Sequence, residues 1–117
     1  MELLALLSSG KGTWGQVSGL CKKGEWEKIV LLGPSYAKDF KIEGIPFDFV
    51  EFDDQKSLLA LKQELIKKLG DKFQGSEVAL SIASGSGKEH MAIISALLSI
   101  PIGVRFTALT KDCVVMM

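Results

Sequence analysis

Hydrophobic and polar positions fall into alternating blocks along the chain. Leu3–Leu7 is a wholly apolar run ended by Ser8-Ser9-Gly10, and beyond it Val17, Leu20 and Cys21 recur at helical spacing. That order predicts strand, loop and helix. Ile29–Leu32 is a second apolar run closed by Gly33-Pro34, and Phe47–Phe52 is a third, rich in the aromatics that suit a pleated surface. Both predict strands, with a short helix over Ser35–Ile42 between them.

The most regular stretch is Gln55–Leu69. Leu58, Leu61, Leu65 and Leu69 share one helical face there, opposite Lys62, Glu64, Lys67 and Lys68, and Gly70 marks the end. Glu64 stands four residues before Lys68, the favourable orientation for an ion pair. Val78–Ala83 reads as a strand buried on both faces. It is followed by Ser84-Gly85-Ser86-Gly87-Lys88 and by a helix over Glu89–Ser99 that Pro101 stops. Val104–Leu109 and Val114–Met117 complete the chain as two strands joined across Thr110-Lys111-Asp112, a C-terminal hairpin.

Strands with continuous apolar cores, separated by helices, imply parallel β-α-β units. The expected fold class is therefore α/β: a three-layer, Rossmann-like, doubly wound sheet, mostly parallel, of five to six strands. With 117 residues the chain makes one domain, 1–117. The sequence has no solenoid-type repeat, low-complexity tract or linker.

Composition narrows the function. The chain is 47% hydrophobic, which argues against disorder. Its 14 basic and 14 acidic residues cancel, so any nucleic-acid or nucleotide binding must come from a local patch or from backbone donors. Long duplex nucleic acid is not the expected target. Cys21 and Cys113 have no C-x-x-C spacing and His90 is the lone histidine, so no disulfide framework, metal site or cofactor is expected, and a reduced, cytoplasmic setting is the default. The run Met91–Val104 is broken by Pro101 and is shorter than the roughly 20 residues a membrane span requires. No membrane role is expected.

Two strand-to-helix junctions share a grammar. Ser8-Ser9-Gly10-Lys11-Gly12-Thr13 follows the first strand and Ser84-Gly85-Ser86-Gly87-Lys88 the fourth. Each joins glycines that let amides approach a ligand to a lysine and to hydroxyls at a helix start. In a sheet ordered 3-2-1-4-5 the two loops face each other at the topological switch point, where such folds bind ligands. Neither is a Walker A loop, which would need glycine at Ile82 or Ala5 and a hydroxyl at Glu89 or Gly12. Gly10, Gly12 and Gly15 fit the spacing of a dinucleotide fingerprint, but no acidic residue ends the second strand near Leu32. His90, one residue past Glu89, could contact a ligand, and Trp14 could stack on a base beside its loop.

A structural reading of the same residues stands beside this one. Thr13-x-x-Gln16 and Ser86-x-x-Glu89 both match a capping box, in which side chains satisfy first-turn amides. On that reading the chain is a small Rossmann-like homodimeric interaction protein with no ligand. Either way the helix from Glu89 is apolar almost all round, through Met91, Ala92, Ile93, Ile94, Ala96, Leu97 and Leu98, and predicts a homodimer built partly on it.

The strings VALSIASGSGKEHMAIISALL and IGVRFTAL, with ELLALLSSGKGTWGQVSGL and EKIVLLGPSY before them, resemble CARF domains, the CRISPR-associated Rossmann-fold sensors, over nearly the whole chain. The resemblance implies a homodimer that binds a cyclic oligoadenylate between the loops after strands one and four. It assigns ligand contacts to Ser9, Thr13, Ser84, Ser86 and Lys88. With the other loop residues and His90, the candidate ligand site is Ser8, Ser9, Gly10, Lys11, Thr13, Ser84, Gly85, Ser86, Gly87, Lys88 and His90. Some members cleave their ligand without metal, which would map onto Ser9 and Lys88 as a metal-independent ring nuclease. Family members usually carry an effector domain after the sensor, and this chain would be a stand-alone member.

Overall fold

The structure, a computed structural model, describes residues 1–111 and 113–117, with Lys11 described by its backbone alone. The described residues form six strands and three α-helices in the order β1 (Glu2–Leu6), α1 (Trp14–Lys23), β2 (Lys28–Gly33), β3 (Asp48–Glu51), α2 (Leu58–Leu69), β4 (Glu77–Ser81), α3 (Gly87–Ser99), β5 (Gly103–Thr110) and β6 (Cys113–Met116). They form one sheet ordered β3-β2-β1-β4-β5-β6, parallel except for the final pair. This is the mostly parallel, Rossmann-like α/β sheet with a C-terminal hairpin that the sequence predicts.

Alternation along each strand divides the core into two layers. Leu4, Leu6, Val30, Leu32, Val78 and Leu80 face α2 and α3, while Leu3, Ala5, Leu7, Ile29, Leu31 and Ala79 face α1. Strands buried on both sides need apolar residues at every position, which is why β1 and β2 read as unbroken runs. From α1, Val17, Leu20 and Cys21 enter the core; from α2, Leu61, Leu65 and Leu69; from α3, Ala92, Ile93, Ala96 and Leu97.

Strands β3 and β4 are shorter than the runs Phe47–Phe52 and Val78–Ala83, with Ala83 exposed beyond the end of β4, and three helical segments differ from the sequence reading, each for a local reason. Over Ser35–Ile42 only a 3-10 turn forms, Ser35–Ala37, because Ala37 and Ile42 anchor the segment without the repeating stripe a longer helix buries. Helix α2 begins at Leu58 rather than Gln55, since Ser57 accepts the Ala60 N–H at 3.3 Å and caps it there. Leu58, expected on the buried face, is consequently exposed in the first turn. Helix α3 begins two residues early, at Gly87 behind the Ser86 cap.

Strand β5 does two jobs. Its first half, Gly103–Phe106, pairs with β4, and its second half, Thr107–Thr110, pairs with β6. Those last four residues run roughly 13 Å past the β4 pairing, toward the carboxyl end of the parallel strands. The hairpin leans on α1, where the Leu109 N–H donates to Gln16 Oε1 at 3.1 Å. Asp112, expected in the hairpin turn, lies outside the described residues. Among the described residues no helix is long and apolar enough to cross a membrane.

Candidate functional site

Because β1 and β4 are sheet neighbours and their chain continuations go opposite ways, to α1 on one face and α3 on the other, a crevice opens at their carboxyl ends. The two loops are bonded to each other. The Ser8 N–H donates to Ser84 Oγ at 3.0 Å, the Ser84 hydroxyl donates to the Ser9 carbonyl at 3.1 Å, and the Gly85 N–H donates to the same carbonyl at 3.0 Å. Beneath this seam lies a carboxylate. Glu89 is buried and accepts from the Ser8 hydroxyl at 2.7 Å through Oε2, and from the Ser86 N–H at 2.8 Å and the Ser86 hydroxyl at 3.2 Å through Oε1.

These bonds sort the sequence-predicted residues. Ser8 and Ser84 are buried with their hydroxyls committed to the seam, and Ser86 is half of a formed capping box with Glu89. His90 Nε2 lies 2.8 Å from the Ser84 carbonyl, which only accepts, so the ring donates there and braces the second loop. Ser9, Gly10, Gly87 and Lys88 stay exposed. The Lys88 ammonium donates to the Asp54 carbonyl, in the loop after β3, at 3.2 Å and makes no bond to the first loop among the described residues. The Lys11 side chain, also a predicted contact, lies outside the described residues.

The capping box expected at Thr13 does not form. A 3-10 turn, Lys11–Thr13, leads straight into α1, so Thr13 has helical backbone angles (φ −86°, ψ −8°) instead of the extended ones a capping residue needs. Its hydroxyl donates to the Gly10 carbonyl at 2.6 Å, and Gln16 serves the hairpin. The Thr13 side chain does not cap the start of α1, and the Thr13 N–H is bonded to the Gly10 carbonyl at 2.8 Å. At α3 the cap reaches the Glu89 amide, leaving Gly87 and Lys88 as the uncapped donors of the first turn. The start of α3, with these two uncapped amides, thus borders the crevice beside the turn that leads into α1.

The glycines divide in an informative way. Gly10 (φ +81°) and Gly85 (φ +100°) occupy left-handed backbone, and a Cβ at Gly85 would sit 2.3 Å from Leu6 Cδ2. The fold requires those two. At Gly12 and Gly87, as at Gly15 within α1, the φ is not left-handed, and among the described residues, chain neighbours aside, no atom stands within 4 Å of where a Cβ would lie. Among the described residues nothing demands glycine in the turn before α1 or at the start of α3.

Sequence reasoning passed over two side chains that the structure puts at the crevice. Glu89 was seen only as a capping partner, yet it also bonds Ser8 from 81 positions away. Tyr36, on the 3-10 turn after β2, brings its phenol oxygen to 3.3 Å from Ser8 Oγ. Its only sequence signal is its position just after Gly33-Pro34, the end of the strand beside β1. Its ring lies parallel to that of Trp14, with centroids 6.4 Å apart, and the Trp14 indole N–H donates to the Ser8 carbonyl at 3.0 Å.

The arrangement offers backbone donors, exposed hydroxyl and ammonium groups and an aromatic face. Among the described residues no group of three or more His, Cys, Asp or Glu side chains could hold a metal ion. In comparisons with known proteins, no family model and no curated sequence matches the chain.

Proposed function

We propose that the crevice between the β1 and β4 loops binds a small phosphorylated ligand, with a nucleotide such as a cyclic oligoadenylate as the leading candidate. The observation that carries this is the pair Gly12 and Gly87. Among the described residues nothing calls for glycine at either place, whereas an anion approaching the amides of these turns does, because a Cβ there stands in its path. The buried seam of Ser8, Ser84 and Glu89 supports the reading by fixing the two loops relative to one another, so the donors are positioned before a ligand arrives.

Contacts then come from Ser9, Gly10, Gly12, Gly87 and Lys88, while the buried hydroxyls act as scaffold. Replacing Gly12 or Gly87 by Ala tests the proposal. Each variant is expected to melt at or slightly above the wild-type temperature, since Ala favours helix over Gly by up to about 1 kcal/mol, and to bind nucleotide at least about tenfold more weakly, roughly 1.4 kcal/mol. Unchanged affinity in both variants would overturn it.

The proposal includes a symmetric partner. Leu58 and Leu59 at the start of α2 and Met91 and Leu98 on α3 are exposed, and a groove of about 250 Å³ runs between Leu58, Leu59 and Met91, lined also by Lys62, Ala92 and Ser95. Both helices start at the crevice end of the sheet, so a second copy seated on this flank brings two crevices side by side, as a ring-shaped ligand on a two-fold axis requires. The same flank supports the alternative reading, an interaction protein without a ligand. Cleavage at Ser9 and Lys88 remains an extension of the binding proposal, read out by chromatography of recovered ligand.

A further inference from the structure

We infer that Tyr36 is the base-stacking surface of this site, so that the ligand's aromatic ring lies over the end of β2 and its phosphate over the β1 loop. The inference rests on the proposed crevice and adds a subsite on its β2 side.

Tyr36 is 48% exposed, more than any other aromatic ring among the described residues. Exposed rings are ordinarily mobile, but this one is fixed from several directions. The turn that carries it is pressed against the end of β1: a Cβ on Gly33 would lie 2.3 Å from the Leu7 carbonyl and 3.0 Å from Ala37 Cβ. One face meets the parallel Trp14 indole. Trp14 in turn meets Phe40 edge-on, with centroids 5.8 Å apart and planes at 86°, and Phe40 packs on Phe47 at 6.2 Å. This row of rings runs from the α1-side core out to the crevice, and separations of this size lie within the range of aromatic attraction.

The phenol end is fixed as well. Ser8 gives its proton to Glu89, so in the 3.3 Å contact between the two hydroxyls Tyr36 is the donor. A chain of donors therefore runs from Tyr36 through Ser8 to the buried carboxylate. A large ring held rigidly with nearly half its surface in water loses no further conformational freedom when a flat partner stacks on it. It also stands beside the β1 loop, its phenol oxygen 3.3 Å from Ser8 Oγ, and the proposed site assigns the phosphate to that loop. A base and a phosphate joined through one sugar match that juxtaposition, and a sugar phosphate without a base does not use the ring.

The test compares AMP with ribose 5-phosphate by calorimetric titration of wild-type protein, Tyr36→Leu and Tyr36→Phe. Leu keeps apolar cover over Trp14 without a π face, Phe keeps the face without the hydroxyl, and thermal melts confirm that each variant is folded. The expected result is AMP binding weakened by about 5- to 100-fold in Tyr36→Leu and by much less in Tyr36→Phe, with ribose 5-phosphate unaffected. Wild-type protein that binds both ligands equally, or a Tyr36→Leu variant that loses both in parallel, would overturn the base subsite and leave the phosphate site standing. Binding of neither ligand by the wild type would overturn the base subsite, and the phosphate site with it where the cyclic oligoadenylates also fail to bind.

Discussion

The hydroxyl of Ser8 donates a 2.7 Å hydrogen bond to the buried carboxylate of Glu89, joining the end of β1 to the first turn of α3 across the switch point of the sheet. The remaining acceptor positions of Glu89 go to the Ser86 N–H and hydroxyl. A buried carboxylate at a helix start is favoured by the helix dipole and by these donors. One side chain therefore caps α3 and ties the two loops together.

Removing that carboxylate should be costly. Glu89→Ala strands the Ser8 hydroxyl and the Ser86 N–H and is expected to lower stability by about 1–3 kcal/mol in urea unfolding. Ser8→Ala should cost a comparable amount. Because the two share a bond, a double-mutant cycle should show a coupling of about 0.5–3 kcal/mol. Strict additivity would mean that the pair does not interact as described.

A second carboxylate contributes to the acid limb of stability. Glu64 on α2 accepts the Asp53 N–H at 3.2 Å and lies 3.2 Å from the Lys56 ammonium and 3.4 Å from that of Lys68. Partial burial pushes its carboxyl up, but the Asp53 amide and the two lysines together outweigh this and hold it below the usual range. A folded-state value below the unfolded value means that the stabilisation is complete above the ordinary glutamate pKa of about 4.3 and disappears as pH falls through the folded-state value. Melting temperatures measured between pH 6 and pH 3 should fall less steeply for Glu64→Gln than for wild type, by an amount corresponding to about 1 kcal/mol or less. Parallel slopes would contradict the assignment.

The sheet was legible because strands buried on both faces leave unbroken apolar runs, as at Leu3–Leu7 and Ile29–Leu32, and because Leu61, Leu65 and Leu69 keep one helical stripe. Helix starts were harder. Ser57 and Ser86 cap earlier or later than the apolar pattern begins, and Thr13 fails as a cap only because a 3-10 turn precedes it. Both crevice loops could be named from glycine and lysine spacing, yet the fate of each hydroxyl could not. Ser8, Ser84 and Ser9 sit in similar strings and differ only in which partner folding brings within 3 Å or so. Tyr36 was invisible although the order 3-2-1-4-5 sets β2 beside β1, because its place beside Ser8 depends on the 3-10 turn Ser35–Ala37, which forms where the sequence suggests a longer helix.

The exposed flank of α2 and α3 yields a prediction of assembly. Met91→Glu and Leu98→Glu alter side chains that are 58% and 64% exposed, so each chain should fold as wild type does. Sedimentation should report a dimer for wild type at micromolar concentration and a monomer for the double variant. A wild-type monomer, or a double variant that still dimerises, would remove the proposed partner from this face.

The central claim is that the crevice is a ligand site, and calorimetric titration of the wild-type protein tests it most directly. Cyclic tetra-adenylate and cyclic hexa-adenylate are the ligands, AMP and NAD the comparisons, with chromatography of the recovered ring. The account predicts saturable binding of one ring per two chains, weakened in Gly12→Ala and Gly87→Ala. No heat with any of these nucleotides would contradict it, leaving two loops stitched by Ser84 and Glu89 for the sake of the fold alone.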